Sequence, residues 1–227
     1  MLSLQSAPRW FGSLLISALF AGCAAPSHVV TTEPANLYPH KLELRAYVDS
    51  GQYQEGLARV AASAQRWVEE RAAQRRPGER LAVVFDLDET LLFNWPSLSE
   101  NDFGYVPSRW TEWVDAAAAP AIESVREVYR TARRLGIDVV YITGRSERDR
   151  PATERNLRAI SCADYIELVC KPAAIKQLSA TFKTAERERL TRAGYTLIAN
   201  IGDQESDLVG GYSEQTFKLP NPFYQTF

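Results

Sequence analysis

The sequence predicts an α/β fold in which helices flank a parallel β-sheet. Two observations carry this prediction. Strand-like apolar runs alternate along the chain with segments of helical periodicity, and the first run lacks the polar alternation of a half-exposed strand. The chain has 227 residues, 45% of them hydrophobic, which suits one globular domain or a domain with a modest insertion. Its net charge of −2 argues against binding to nucleic-acid polymers, which needs a concentrated basic surface.

The N-terminal residues resemble an export signal rather than part of the fold. Arg9 precedes an apolar stretch at 10–21 that is too short to span a bilayer comfortably. The stretch ends in Phe20-Ala21-Gly22-Cys23, which resembles a bacterial lipoprotein signal whose cysteine becomes lipidated. Phe20 stands where that pattern usually has Leu, and an ordinary signal peptide with an incidental cysteine is the alternative.

This resemblance implies a division of the chain and a location. We expect a lipoprotein signal peptide at 1–22, a flexible tether at 23–39 and the folded domain at 40–227. The lipid on Cys23 would anchor the protein in a bacterial envelope, facing the periplasm. Ala24 follows without an acidic residue, which favours the outer membrane by analogy with bacterial sorting rules.

An amphipathic helix is predicted from Gly51 to Arg75. Its apolar residues recur at spacings of three and four, with Asp49 or Ser50 as a plausible N-cap. Pro77-Gly78 would stop the helix.

The first predicted strand is the apolar run Leu81–Phe85, which ends at Asp86. Asp86 and Asp88 then fall at the carboxyl edge of the sheet, where α/β proteins bind their ligands. An unpaired carboxylate is costly to desolvate, so a bound cation is the simplest compensation. This strand end therefore predicts a site.

The remaining chain continues the alternation of helices and strands. Residues 93–117 carry many aromatic residues and turn formers without clean periodicity. The later predicted helices are 121–135, ending at Gly136, then 151–160 and a third through about 190; the later predicted strands are 137–142, 165–170, 195–201 and a short 217–219. Such alternation calls for a parallel sheet with right-handed crossovers.

Two cysteines, Cys162 and Cys170, are left once Cys23 is assigned to lipidation. In an oxidising compartment they could pair, which would stabilise the fold by roughly 2.5 kcal/mol in the chain-entropy model. Two buried thiols are an equal alternative, because Cys170 ends an apolar segment.

Polar residues that could share one crevice follow three of the predicted strands. They are Asp86 and Asp88 after the first, Thr143, Gly144 and Arg145 after the second, and Asp203 and Asp207 after the fourth. Carboxylate oxygens and waters are the ligands that Mg²⁺ prefers. The joint presence of these motifs is a much stronger signal than any one of them.

These three motifs resemble motifs one, two and four of the haloacid dehalogenase (HAD) superfamily. The match is closer to its acid phosphatase branch, which includes bacterial lipoprotein acid phosphatases and plant vegetative storage proteins. Residues 182–187 are similar to that branch's Tyr-Lys-Ser-x-x-Arg stretch, and 217–222 resemble its ending. The resemblance implies a Rossmann-like, HAD-like sheet over 40–227, with a small cap inserted after the first strand at about 93–117.

The resemblance also implies catalytic roles. Asp86 would attack phosphorus and form an aspartyl-phosphate. Asp88 would protonate the leaving alkoxide and then deprotonate the hydrolytic water. In the family, the residue matching Asp88 also gives its backbone carbonyl to Mg²⁺, beside the carboxylates matching Asp86 and Asp203.

Substrate-binding roles follow from the same resemblance. Thr143 and the Gly144 N–H would hold phosphate oxygens at a helix start. Lys183 would neutralise charge between nucleophile and phosphoryl group, with Asp207 orienting it; a solvated helix lysine is the alternative. Arg145 would either contact the substrate or form a structural salt bridge.

Five aromatic residues lie where the family places its cap. They are Trp95, Phe103, Tyr105, Trp110 and Trp113. They could stack on a base or an aryl leaving group, or they could pack against the amphipathic helix.

The expected function is an envelope-anchored, Mg²⁺-dependent acid phosphatase that hydrolyses small phosphate monoesters such as nucleoside monophosphates. One alternative is a binding or storage protein on the same fold, as in plant relatives that have replaced the nucleophile. Another is a receiver-like domain that carries a phosphoaspartate, which the export signal and Asp88 disfavour.

Overall fold

A five-stranded sheet, with every neighbouring pair of strands parallel, organises the chain in the order β3-β2-β1-β4-β5. The computed structural model describes residues 34–172 and 178–226. The strands are β1 (Arg80–Phe85), β2 (Asp138–Ser146), β3 (Glu167–Lys171), β4 (Tyr195–Gly202) and β5 (Gln215–Lys218). This architecture confirms the predicted α/β class.

Helices connect the strands and cover the sheet. They are α1 (Leu37–Asp49), α2 (Gln52–Ala73), α3 (Trp95–Glu100), α4 (Pro107–Ala116), α5 (Glu123–Arg134), α6 (Arg150–Ala159), α7 (Ser179–Arg192) and α8 (Glu205–Leu208), with a 3₁₀ turn at Glu147–Asp149. In the part of the chain that the structure describes, no helix combines the length and hydropathy needed to cross a bilayer.

The central strand β1 is buried on both faces, as its continuous apolar run predicts. Leu81, Val83 and Phe85 join the larger core with α2 and α5, whereas Ala82 and Val84 join a smaller core with α7. Residues alternate between the faces of a strand, so each face of β1 contributes to a different layer of helices. The motif that follows β1 is therefore fixed from both sides.

The start of the domain differs from the sequence-based prediction in two ways. The chain is already helical from Leu37, three residues before the expected domain start at 40. Asp49 and Ser50 are not the N-cap of α2, because they end α1, and Gly51 caps α2 instead. Gly51 has φ +83°, a left-handed conformation that glycine adopts without strain. The predicted signal peptide and the lipidation site at Cys23 lie outside the described residues.

The segment at 93–117 contains two short helices, α3 and α4, which its irregular pattern did not reveal. Pro96 and Pro107 each stand in the first turn of their helix, where a missing N–H costs nothing. The segment thus provides compact elements between β1 and α5.

Cys162 and Cys170 are buried free thiols, so of the two alternatives the structure has the unpaired one. Burial raises the pKa of the Cys162 thiol to about 12 and that of Cys170 to about 11. Both thiols are therefore poor nucleophiles at neutral pH.

An ion pair made by Arg71, in the last turn of α2, is expected to make stability depend on pH. Arg71 is largely buried and donates to both Glu79 and Glu214. Hydrogen bonds from Arg71, then from the Arg76 N–H, lower the pKa of Glu79 from 4.5 to about 2. A lowered carboxyl pKa stabilises the fold above the unfolded value, and that stabilisation is lost as pH falls through the folded value.

We expect Glu79→Gln to lower the melting temperature at pH 7, with the difference from wild type shrinking between about pH 4.5 and about pH 2. Thermal unfolding followed by circular dichroism across this range measures the effect. Glu70→Gln, at an exposed position of α2, is the matched control and should change little. A difference that stays constant with pH would contradict the role given to Glu79.

Candidate active site

The carboxyl ends of β1, β2 and β4 meet at one cleft of about 670 Å³. Its walls include six of the residues predicted from the strand ends, together with Lys183 from α7; the six are Asp86, Asp88, Gly144, Arg145, Asp203 and Asp207. Thr143 is fully buried beneath them. The Asp86 N–H donates to Ile201 O at 2.9 Å, which extends the pairing of β1 with β4 into the motif.

Lys183 lies between two carboxylates at the bottom of the cleft. Its Nζ donates to Asp86 Oδ1 and, at 2.7 Å, to Asp207 Oδ1. The side chain is only 5% exposed, so Lys183 is a buried cation and not a solvated helix lysine. Burial lowers the pKa of Lys183, but the charges of Asp86 and Asp207 outweigh it and the net shift is upward.

Three carboxylates form a compact acidic group. Oxygen atoms of Asp86, Asp203 and Asp207 all lie within 4.8 Å of one another. Burial, reinforced by the negative charge of Asp207, raises the pKa of Asp203 to about 6. Burial also raises the pKa of Asp86 well above its usual value, although Lys183 opposes the shift.

This group fits a divalent cation. Three carboxylates and one ammonium leave a surplus of two negative charges in a buried site. Oxygen donors of this kind suit Mg²⁺ and other hard divalent ions. Asp203 is also held in place, since it accepts hydrogen bonds from Asn221 Nδ2 at 2.7 Å and Gln204 Nε2 at 2.6 Å.

Asp88 is paired with Arg145 across the cleft. Arg145 Nη2 donates to Asp88 Oδ1 at 2.7 Å, and Nε lies 3.1 Å from each carboxylate oxygen. Burial opposes ionisation of Asp88, but the charge and hydrogen bonds of Arg145 prevail, so the pKa of Asp88 is lowered. Of the two roles expected for Arg145, the structure contains the salt bridge, and the Arg145 side chain that makes it is 1% exposed.

The prediction that Thr143 and Gly144 stand at the start of a helix is wrong. β2 continues through both residues to Ser146, where it still pairs with Lys171 of β3, and the next helical turn begins only at Glu147. Helix N-terminal N–H groups are therefore not what these two residues offer. Gly144 instead presents extended backbone to the cleft, while Thr143 Oγ1 accepts from the Arg145 N–H at 3.1 Å.

Asn94 and Glu89 are site residues that the sequence reasoning missed. Asn94 Nδ2 donates to Asp88 Oδ1 at 2.9 Å, and the Asn94 N–H donates to Glu89 Oε1 at 2.8 Å. Burial, with the nearby charge of Asp88, raises the pKa of Glu89 to about 8. Glu89 and Asn94 lie three and eight residues after Asp86, and this proximity was the available signal.

Arg187 is a third missed residue, and it holds the segment that follows β4. Its guanidinium donates to the backbone carbonyls of Asp207, Val209 and Gly211. It thereby fixes α8, which carries Asp207, and the residues that follow it. Arg187 belongs to the stretch 182–187 that resembles the family, where only Lys183 received a role.

The aromatic residues of 93–117 divide between the two expected roles. Phe103, Tyr105 and Trp110 line the cleft, and Tyr105 is exposed. Trp95, Trp113 and also Phe103 pack against the larger core, and the rings of Trp95 and Phe103 are tilted, with centroids 5.8 Å apart. Contact with a ligand is therefore open to the residues that line the cleft, and Trp95 and Trp113 have the packing role alone.

A parallel sheet with clustered carboxylates at its carboxyl edge and a buried lysine between two of them is the arrangement of a HAD-type protein. The chain belongs to the HAD superfamily, subfamily IIIB (acid phosphatase), whose family model matches residues 17–227. The resemblance drawn from the motifs is thus confirmed.

Similar proteins include both enzymes and storage proteins of plants. The chain is 37% identical over 146 residues to acid phosphatase 1 of Solanum lycopersicum, covering 62% of this chain and 57% of that protein. It is 32% identical over 145 residues to vegetative storage protein 1 of Arabidopsis thaliana, covering 62% and 54%. The chain therefore spans a little over half the length of these relatives.

The fold is shared with a solved bacterial structure. The class C acid phosphatase from Bacillus anthracis superposes with a TM-score of 0.71 over 83% of this chain and 86% of that one, at 21% sequence identity.

Proposed function

We propose that this protein is an acid phosphatase that hydrolyses small phosphate monoesters through an aspartyl-phosphate, with Mg²⁺ as its cation. The observation that carries the proposal is the pairing of Lys183 Nζ with Asp86, at the point where β1 opens into the cleft. A buried ammonium beside a buried carboxylate offers both a nucleophile and a positive charge for the phosphoryl group. Family membership supports the same reaction.

The first step transfers the phosphoryl group to the protein. A carboxylate oxygen of Asp86 forms a bond to phosphorus while the bond from phosphorus to the ester oxygen breaks. Asp88 takes part in this step in its protonated form, which is the minor form at neutral pH because Arg145 lowers the pKa of Asp88. The leaving alkoxide takes that proton and departs as an alcohol, which leaves Asp88 ionised. Arg145 then holds the Asp88 carboxylate, because its guanidinium is already paired with it.

The second step releases phosphate. Asp88 accepts a proton from a water molecule whose oxygen forms a bond to phosphorus. The bond from phosphorus to Asp86 breaks, and both residues return to their starting states. Lys183 stays beside Asp86 and Asp207 throughout, where it offsets negative charge on the phosphoryl oxygens.

Asp86, Asp203 and the backbone carbonyl of Asp88 are the proposed ligands of Mg²⁺. When bound, the ion would neutralise the surplus carboxylate charge and polarise the phosphoryl group. Thr143 and the Gly144 N–H remain the proposed contacts for phosphate oxygens. The Thr143 hydroxyl still has its proton to donate, since its oxygen accepts from Arg145.

Nucleoside monophosphates are the proposed substrates within this class. Phe103, Tyr105 and Trp110 offer flat apolar surfaces at the mouth of the cleft, on which a base could stack. The cap would be the segment at 93–117 that supplies them.

We further propose a signal peptide at 1–22 and a tether that runs from Cys23 to the start of α1 at Leu37. A lipid on Cys23 would anchor the catalytic domain at the periplasmic side of the envelope, in the outer membrane.

A storage or binding protein on the same fold is the second candidate, because vegetative storage proteins are among the similar proteins. Asp86 and Asp88 are both present in this chain, which favours catalysis over storage. A receiver-like protein would also form a phosphoaspartate, but it would turn over slowly. Multiple turnovers would separate the enzyme from both.

Phosphate release by the purified full chain tests the proposal. We expect hydrolysis of p-nitrophenyl phosphate and of nucleoside 5′-monophosphates over many turnovers with Mg²⁺, and loss of activity with EDTA that Mg²⁺ restores. Nucleoside 3′-monophosphates, sugar phosphates and aryl phosphates in the same screen would define the substrate class. A single burst of phosphate, or full activity in excess EDTA, would contradict the mechanism.

A further inference from the structure

A hydrogen-bonded link joins Asp88 to helix α4 of the 93–117 segment. Trp113 Nε1 donates to Asn94 Oδ1 at 2.8 Å, and Asn94 Nδ2 donates to Asp88 Oδ1 at 2.9 Å. Asn94 is fully buried, and Trp113 is half-buried against the larger core. The link therefore connects the carboxylate in the cleft with an element outside the sheet.

The orientation of the Asn94 amide is fixed by chemistry. The indole N–H of Trp113 can only donate, so the amide oxygen must face it. The amide nitrogen then points towards Asp88 and Glu89, whose carboxylate oxygens lie 2.9 and 3.2 Å away. The Asn94 backbone N–H is also held by Glu89, so neither the amide nor its backbone is free to turn.

The two oxygens of Asp88 are not equivalent. Oδ1 accepts hydrogen bonds from Asn94 Nδ2 and from Arg145 Nη2 and Nε, whereas in the described part of the chain Oδ2 receives only the shared Arg145 Nε at 3.1 Å. Asn94 thus adds a hydrogen bond to Oδ1 and leaves Oδ2 able to take part in another. Because Arg145 comes from β2 and Asn94 from the loop after β1, the two donors hold the carboxylate from different elements.

We propose that Asn94, held in place by Trp113, is a positioning residue for the acid–base group Asp88. It fixes the carboxylate so that Oδ2 exchanges protons with the leaving group and with water. The inference rests on the proposed phosphatase reaction and deepens it, because it gives α4, through Trp113, a part in orienting the carboxyl group of Asp88. Asn94 and Trp113 do not touch the reacting atoms in this scheme; they act through Asp88.

The dependence of the rate on the leaving group tests the proposal. Departure of p-nitrophenolate needs little protonation, whereas departure of an alkoxide from β-glycerophosphate needs a well-placed acid. Trp113→Phe keeps the ring and removes the N–H donor to Asn94. We expect its kcat/KM to fall about tenfold or more for β-glycerophosphate, as part of the 10²–10⁴-fold that acid–base groups supply, and about twofold or less for p-nitrophenyl phosphate.

The quantity to compare is the ratio of the two kcat/KM values, which reports the step that releases the alcohol. Asn94→Ala tests the other end of the link and should shift the ratio in the same direction. The double variant should be no worse than Asn94→Ala alone, because Trp113 acts through Asn94.

Trp67→Phe is the matched control. Trp67 is also half-buried against the larger core and also loses an indole hydrogen bond, to Ile198 O at 2.7 Å, but it lies on α2 away from the cleft. We expect a comparable fall in melting temperature with an unchanged ratio.

An unchanged ratio in both Trp113→Phe and Asn94→Ala, or the same change in Trp67→Phe, would overturn the inference while leaving the phosphatase proposal intact. Wild-type protein that hydrolyses neither ester would instead refute the proposed function and this inference with it.

Discussion

Asp86→Asn protein is expected to release almost no phosphate, with kcat lower by about 10⁴-fold or more, as for loss of a covalent nucleophile. The amide has the size of the carboxylate but is a poor nucleophile. The remaining groups of the cleft, Lys183 and Asp88 among them, stay in place and cannot replace it. Initial rates with p-nitrophenyl phosphate and Mg²⁺ measure the loss.

The same variant is expected to be at least as stable as the wild type when no divalent cation is added. Burial raises the pKa of Asp86 well above its usual value, so holding it ionised at pH 7 destabilises the fold, and a neutral amide removes that cost. Asp207 still pairs with Lys183 in the variant. Thermal unfolding separates this outcome from simple misfolding, and Mg²⁺ should raise the melting temperature of the wild type more than that of the variant.

Wild-type activity in Asp86→Asn would remove Asp86 from the mechanism. Inactivity accompanied by a much lower melting temperature would contradict the expected stability of the variant.

Gly202→Ala is expected to lower kcat on the order of 10²-fold, the scale set by small displacements of catalytic groups. A Cβ at position 202 would stand 2.5 Å from Cβ and Oδ2 of Asp207, closer than two such atoms can approach. Asp207 must then move, although it holds Lys183 at 2.7 Å and the Gln204 N–H at 2.8 Å. The displaced Lys183 would no longer be aligned with Asp86.

A double variant isolates the cause. Asp207→Gly removes the atoms with which the new methyl group collides, so Gly202→Ala should add little in that background. Steady-state kinetics and thermal unfolding of the two single variants and the double variant measure the coupling. Near-wild-type kcat in Gly202→Ala, or full additivity in the double variant, would exclude a role for this close approach.

Much of the sheet and the acidic part of the cleft could be predicted from the sequence. The apolar run of β1 and the carboxylates after it are adjacent in the chain, and parallel strands bring their carboxyl ends to one edge. Asp86, Asp203 and Asp207 meet for that reason. The role of Lys183 could be predicted only from the family resemblance, because nothing in the pattern of α7 distinguishes this lysine from the other charged residues of that helix.

The features that the sequence did not reveal depend on tertiary contacts. α1 buries only Val48, so it has no apolar stripe from which periodicity could predict a helix. β2 continues past Gly144 because β3 provides a pairing partner as far as Ser146, whereas glycine in isolation favours a break. The Asn94–Trp113 bond joins side chains 19 residues apart, and local sequence carries no sign of it.

The contacts of the segment after β5 are expected to form late in folding. Asn221 donates to Asp203, and Tyr224 OH donates to Glu89, a residue 135 positions earlier in the chain. Contacts between residues so far apart form late in folding, because the entropy of closing the intervening chain must first be overcome. The cleft would therefore be completed only when nearly all of the sheet is in place. Until this segment packs, Asp203 lacks its hydrogen bond from Asn221 and Glu89 lacks its hydrogen bond from Tyr224, so the cleft is incomplete.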